Sequence, residues 1–130
     1  MTDIEVTGFD STIGLSYDKA EGDEVLARFS VTPALLQPYG IVHGGVYCSV
    51  VESTASVGGA TWFGDRGNVV GVSNHTNFFK AVGEGEMTVR ATPVQQGRTQ
   101  QLWTVEVRSA KGTLIAKGDV RLANLARRDG

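Results

Sequence analysis

Glu52 is the one residue with a formal charge between Arg28 and Asp65, and it stands near the middle of an apolar run from Gly45 to Trp62. An unpaired carboxylate in apolar surroundings costs several kcal/mol or is driven to a higher pKa, so its presence there needs a reason. The run is too long for an ordinary strand and holds no proline, which predicts a helix over 45–62. On a helix, Gly45, Ser49, Glu52, Ser56 and Gly59 follow at i, i+4, i+7, i+11 and i+14 and share one face, nearly bare except for the carboxylate. The other sides carry Val46, Tyr47, Val50, Val51, Val57 and Trp62, so the helix is expected to be buried almost all round. Glu52 then reads as the reactive group of an active site. The stretch Gly40–Ile41–Val42–His43–Gly44–Gly45 leads straight into its helix.

The flanking segments read as strands. Ile13 to Tyr17 predicts a first strand, and the turn Glu21–Gly22–Asp23 leads to a second over Glu24 to Val31, where Val25, Ala27, Phe29 and Val31 alternate with Leu26, Arg28 and Ser30. Pro33 ends it, and a loop through Gln37–Pro38–Tyr39–Gly40 reaches the helix. Beyond the turn Gly64–Asp65–Arg66–Gly67 the pattern is β throughout: Asn68 to Lys80, Glu86 to Val94, Thr99 to Arg108 and Thr113 to Ala123, separated by glycine-bearing turns. Pro93 predicts an edge or a bulge near the end of its strand. The order β-β-α-β-β-β-β gives an α+β fold, a single domain over residues 1–130 in which one long helix is wrapped by a curved antiparallel sheet. Residues 1–12 are expected to form a short helix or an N-terminal arm, and 124–130 a frayed tail. Such a sheet leaves edges needing cover, so self-association is expected.

Composition excludes several classes. At 130 residues the chain is of single-domain size, 41% hydrophobic and 20% charged, with a net charge of −2 that offers no nucleic-acid footprint. One cysteine forbids an internal disulfide and fits a reducing compartment. The acidic start Met1–Thr2–Asp3–Ile4–Glu5 lacks a signal-peptide pattern, and Glu52, Gly58–Gly59 and several hydroxyl residues argue against a membrane span. A cytoplasmic protein with no nucleic-acid or membrane partner is the expectation.

Gln37–x5–His43–Gly44–Gly45–x6–Glu52–x3–Ser56 resembles the signature of hotdog-fold acyl-CoA thioesterases, in particular the PaaI-like branch with the 4-hydroxybenzoyl-CoA and 1,4-dihydroxy-2-naphthoyl-CoA thioesterases. Gly97–Arg98–Thr99–Gln100–Gln101–Leu102–Trp103 resembles the G-R-x-x-Q-x-W strand of that family, and the strand order is similar to its fold. The resemblance covers about residues 12–125. It implies hydrolysis of an aryl- or medium-chain acyl-CoA to free acid and coenzyme A, with no cofactor and no metal, coenzyme A being part of the substrate. It implies a homodimer with a shared site, doubled to a tetramer. A thioester oxygen gains negative charge during attack and needs donors, which Gly44 and Gly45 can supply from free N–H groups at the positive end of the helix. Glu52 can attack the carbonyl or activate water, and the residues leave both open. By resemblance, Gln37 and His43 orient the thioester near its carbonyl, Ser56 holds the carboxylate or the water, and Gly45, Phe78, Lys80 and Arg98 bind substrate, the two cations at the coenzyme A phosphates. Phe78 stands where relatives often have a polar residue or histidine, which points to a more apolar acyl pocket, and Lys80 stands where arginine is usual.

Two further readings stay open: a hotdog hydratase or dehydratase, although the H-F-P-G and M-P-G stretches of fatty-acid dehydratases are absent, and a non-catalytic acyl-CoA-binding module, which would not need Glu52. Cys48 lies off the reactive face with no cationic neighbour in sequence and is expected to be inert. His75 lacks a second ligand at metal-binding spacing.

Overall fold

The computed structural model describes residues 4–128. Its centre is α2, Gly44–Phe63, packed on a six-stranded antiparallel sheet of order β1-β2-β4-β5-β6-β3. The strands are β1 (Ser16–Ala20), β2 (Val25–Ser30), β3 (Gly67–Phe78), β4 (Glu86–Gln96), β5 (Gln100–Ser109) and β6 (Leu114–Ala126). The sheet curls so that β2, β3, β4, β5 and β6 all contact α2. Alternation fixes which face turns inward: Met87, Val89 and Ala91 of β4 and Trp103, Val105 and Val107 of β5 are buried against the helix, with polar residues between them. This is the hotdog architecture expected. Among the described residues no helix is long and apolar enough to cross a membrane.

The helix lies close to the sheet because two of its residues lack side chains. A Cβ on Gly58 would sit 2.5 Å from Cη2 of Trp103, and one on Gly59 would run into Cδ1 of Leu122. The expected grouping of Gly59 with Glu52 on a bare face is therefore corrected: Gly59 is buried against β5 and β6, whereas Glu52 is exposed. Beside the glycines a buried polar network holds the two layers. Trp103 Nε1 donates to Gln101 Oε1 at 2.7 Å, and Gln101 Nε2 donates to Asn124 Oδ1 at 2.8 Å and to the Gly59 carbonyl at 3.2 Å. Asn124 in turn donates to the carbonyls of Gly97 (2.9 Å) and Arg98 (3.2 Å). Gln101 is fully buried, and these bonds satisfy both ends of its amide. The stretch Gly97–Trp103 is thus a clamp on the C-terminal half of α2.

Several boundaries differ from expectation for local reasons. Ile13 is not in a strand; it ends a six-residue helix, α1 (Gly8–Ile13), closed by Gly14 at φ 85°. Ile13 and Leu15 are both buried, so their alternation mimics a strand across a helix end. Gly8 to Thr12 accordingly form part of α1 rather than a loose arm. At the other terminus β6 continues to Ala126, because Leu125 and Ala126 pair with Asn68 and Gly67 and Arg127 N donates to the Arg66 carbonyl at 2.7 Å. Residues 124–126 therefore belong to β6 and not to a frayed tail, and Asp129 and Gly130, like Met1–Asp3, lie outside the described residues. Pro93 marks a bulge: the β4–β5 register shifts between Pro93 and Gln95, inside the sheet rather than at its edge.

β3 is an edge strand twelve residues long whose outer side has no partner among the described residues, and Val70, Val72 and Phe78 are exposed along it. A long, partly apolar open edge is a template for pairing with another strand.

The Gly58–Trp103 contact gives a stability test. Replacing an exposed helical glycine with alanine stabilises by about 1 kcal/mol, but here the added methyl meets a buried indole, and overpacking costs about 1–3 kcal/mol. Gly58→Ala should lower the urea midpoint at unchanged slope, a net loss of up to about 2 kcal/mol. A raised midpoint would contradict the packing described.

Candidate active site

The start of α2 is shaped by His43. It is the N-cap, in extended conformation, and its Nδ1 accepts the Gly45 N–H at 2.8 Å, which leaves Nε2 to carry the imidazole hydrogen. The His43 N–H donates to the Leu35 carbonyl at 2.9 Å, tying the cap to the preceding loop. The expectation that both glycine amides are free is corrected: the Gly45 N–H is engaged by His43, and Gly44, the first helical residue, is the donor with no intrahelical partner. A Cβ on Gly44 would lie 2.7 Å from Cε2 of Phe78, whose ring covers the helix start, so any larger residue there would displace that ring.

Gln37 sits in a tight loop closed by Gln37 N to Ile41 O (2.9 Å) and Gly40 N to Gln37 O (3.0 Å). Its side-chain carbonyl accepts the Tyr39 N–H, so the end left to offer is the amide NH2, a donor. Gln37, Gly44, Tyr47, Phe78, Phe79 and Lys80 line one cavity of about 370 Å³. Its walls are largely apolar, with Ile41, Val42 and Ala81 beside the three aromatic residues, and the rings of Tyr47 and Phe78 are 6.0 Å apart and tilted. Burial pushes the Tyr47 phenol above its ordinary pKa, so it stays neutral near neutral pH.

Glu52 belongs to a different cavity, about 270 Å³, lined by Phe9, Cys48, Ser49, Glu52, Ser53 and Asn74. The burial inferred for its carboxylate is not found in the single chain, where Glu52 is exposed. It lies beside Gly71 of β3, where a Cβ would stand in ordinary contact, 3.4 Å from Oε2 of Glu52. Ser49 uses its hydroxyl hydrogen on the Gly45 carbonyl at 2.7 Å, within the helix. Ser56 is half-buried one turn beyond Glu52, and no hydrogen bond joins the two among the described residues. Between the cavities Asn74 Nδ2 donates to the Cys48 carbonyl at 2.9 Å, pinning β3 to the middle of α2.

Gly44 and Glu52 are thus on one helix but not at one point. Eight residues separate them, which at the helical rise is about 12 Å. A carbonyl oxygen held by the Gly44 N–H has its carbon far beyond reach of the same chain's Glu52. The cations are apart as well. Lys80 follows the end of β3 beside the start of α2, whereas Arg98 lies in the β4–β5 turn, at the sheet end where β3 begins. The β3 positions Val70 and Phe78, which mark those two ends, are about 26 Å apart. One chain therefore groups Gln37, Gly44, Phe78 and Lys80, with His43 capping the helix beside them, and leaves Glu52, Ser56 and Arg98 elsewhere. Tyr47, Phe79, Phe9 and Asn74 were not singled out by sequence; Tyr47 could have been, lying one turn from Gly44. Among the described residues no three His, Cys, Asp or Glu side chains gather as a metal site would require.

The profile of the thioesterase superfamily matches residues 39–116, which include the helix start, all of α2 and the long edge strand. AziG of S. sahachiroi is 47% identical, with a TM-score of 0.93, covering 95% of this chain and 100% of that one. A Mycobacterium tuberculosis structure described as an esterase is 42% identical, with a TM-score of 0.91, covering 93% of this chain and 98% of that one. The 1,4-dihydroxy-2-naphthoyl-CoA hydrolase of Escherichia coli (strain K12) is 30% identical over 105 residues, 80% of this chain and 77% of the relative.

The capping bond can be tested directly. His43→Ala removes the acceptor for the Gly45 N–H and should cost about 1 kcal/mol of stability. His43→Asn supplies another capping oxygen and should keep most of it in urea titrations. Equal losses in the two variants would contradict a capping role.

Proposed function

The chain belongs to the thioesterase superfamily, hydrolases of thioester bonds, and on that premise we propose that it hydrolyses an aryl- or medium-chain acyl-CoA in sites shared between two copies of the chain. One observation carries the sharing: within a chain the free helix-start donor and the carboxylate are about 12 Å apart along α2, with an unpaired edge strand lying beside both. Phe78 touches Gly44 and Gly71 lies against Glu52. If two β3 strands pair antiparallel about Asn74 and His75, Phe78 comes opposite the partner subunit's Gly71. The Gly44 cavity then meets the cavity of the partner subunit's Glu52, and a carboxylate exposed in one chain becomes covered.

In such a site the Gly44 N–H and the Gln37 amide hold the thioester oxygen as it becomes an oxyanion, aided by the positive end of α2. The partner subunit's Glu52 adds to the carbonyl carbon, giving an anhydride that water opens, or removes a proton from the water that adds. In either route the C–S bond breaks, the thiolate of coenzyme A takes up a proton, and water supplies the oxygen of the free acid. His43 acts by holding the helix start in shape, and Ser56 stands one turn from the carboxylate on the partner's side. The acyl-CoA class is supported by the E. coli relative, whose name specifies a coenzyme A thioester. The aromatic walls contributed by Tyr47, Phe78 and Phe79 favour an apolar or aryl group.

The coenzyme A phosphates leave through the mouth of the first cavity, where Lys80 stands. Antiparallel pairing turns the far end of the partner's sheet toward the same mouth, so Arg98 of the partner subunit is the second cation. A pair of such dimers, forming a tetramer, remains part of the proposal.

Three outcomes are expected. A panel of acyl-CoAs with a thiol reagent should show thiol release, and Glu52→Ala should lower turnover at least about a hundredfold while the protein stays folded. Near-wild-type turnover in that variant removes Glu52 from the mechanism, and water addition to an enoyl-CoA without thiol release would indicate a hydratase. Light scattering should give a dimer or tetramer, and a fully active monomer would refute a shared site. Lys80→Ala and Arg98→Ala should each raise KM for acyl-CoA several-fold, about 1 kcal/mol and more at low salt. Turnover of an acyl-pantetheine thioester should be unchanged in both. Unchanged KM for full acyl-CoA in both variants would place the phosphates elsewhere.

A further inference from the structure

Phe9 is 66% exposed, the most open phenylalanine of the chain's described core-forming elements, and it sits on α1 rather than on any strand of the sheet. It is also the one large apolar side chain lining the Glu52 cavity; the rest of that lining is Cys48, Ser49, Glu52, Ser53 and Asn74. A six-residue helix does not hold itself in water, so its position must come from anchors. Two are present. Ser53 Oγ, one residue beyond Glu52, donates to Asp10 Oδ1 at 2.7 Å, joining segments 43 residues apart. Ile13 is buried in the core, and Gly14 N donates to the carbonyls of Asp10 and Ser11 at 3.1 Å, closing the helix behind it. Phe9 and Ile13 are four residues apart and share a face of α1. That face turns toward α2: Ile13 fills the core and Phe9 covers the carboxylate cavity.

We infer that Phe9 is a specificity-determining residue, the apolar wall that the acyl group meets on the carboxylate side of the site, selecting flat or extended apolar acyl groups over acetyl. The inference rests on the acyl-CoA reading above. Without Phe9 this side of the site offers an acyl group only hydroxyl, thiol, amide and carboxylate surface, which gives an apolar chain nothing to bury against. The Asp10–Ser53 bond makes Ser53 a positioning residue, since it holds α1 where the ring can reach.

The test uses the full chain and two readouts. The first is kcat and KM for benzoyl-CoA, hexanoyl-CoA and acetyl-CoA. The second is calorimetric binding of the non-hydrolysable thioethers phenacyl-CoA and acetonyl-CoA. Phe9→Ala should weaken phenacyl-CoA about five- to tenfold, as loss of an aromatic contact would. It should raise KM for benzoyl- and hexanoyl-CoA by a similar factor and leave acetonyl-CoA and acetyl-CoA within twofold. Phe9→Leu should restore hexanoyl-CoA more than benzoyl-CoA, and Ser53→Ala should show a weaker form of the same shift. An unchanged preference between phenacyl- and acetonyl-CoA in Phe9→Ala overturns the inference, as does an equal loss on all acyl groups. A wild-type protein that binds the thioethers selectively but releases no thiol from any thioester contradicts hydrolysis while still deciding the place of Phe9.

Discussion

An α-helix advances about 1.5 Å per residue, and nothing in a folded chain shortens that. The donor at Gly44 and the carboxylate at Glu52 are therefore held apart by α2 itself, and their separation decides how the rest of the molecule must be used. Chemistry at a thioester carbonyl wants both groups within about 3 Å of adjacent atoms. A single chain can bring either group to that point but not both. In the proposed site, the same rigidity that keeps the two groups apart would also hold each of them accurately, because both sit on an element locked to the sheet.

That locking has separate parts at the two ends of α2. Toward the C-terminus, Gly58 and Gly59 let the helix come down on Trp103 and Leu122, and the Trp103–Gln101–Asn124 chain satisfies the polar groups that close packing would otherwise strand. Toward the N-terminus, the layers are joined by the ring of Phe78 lying on Gly44 and by the Asn74–Cys48 bond. β3 thus lies beside both Gly44 and Glu52, while its outer edge is unpaired among the described residues. An edge strand that is long, partly apolar and unprotected is a liability in a monomer and a joint in a dimer. The exposed Val70, Val72 and Phe78 fit the second role.

Much of this was legible in the sequence, for reasons that differ by element. The length and apolarity of the Gly45–Trp62 run gave α2 within a residue at each end, and glycine-bearing turns delimited β4, β5 and β6. Ile13 was misread because a buried helix end and a buried strand start can both look like alternation, and only the left-handed Gly14 separates them. The end of β6 was placed early because its last residues are ordered by pairing with distant β3, which leaves no local mark. At the site, residue types name candidates but not their grouping. The helical wheel put Glu52 on the face of Gly45, yet a wheel is a projection and discards distance along the axis. For His43 the motif implies a place beside the thioester carbonyl, and the structure adds that its Nδ1 accepts the Gly45 N–H. Phe9 had no signal at all, since its place depends on a contact between segments 43 residues apart.

The shared site is decided most directly by mixing two inactive proteins. Gln37→Ala and Glu52→Ala each damage every site of their own homodimers, one in the donor half and one in the carboxylate half. After unfolding and refolding together, half of the dimers are mixed, and in each of these one site carries both lesions and the other carries neither. Activity should return to about a quarter of the wild-type level in an equimolar mixture. A mixture that stays at the level of its parents, with mixed dimers shown by mass to have formed, would mean that Gln37 and Glu52 do not meet across two chains.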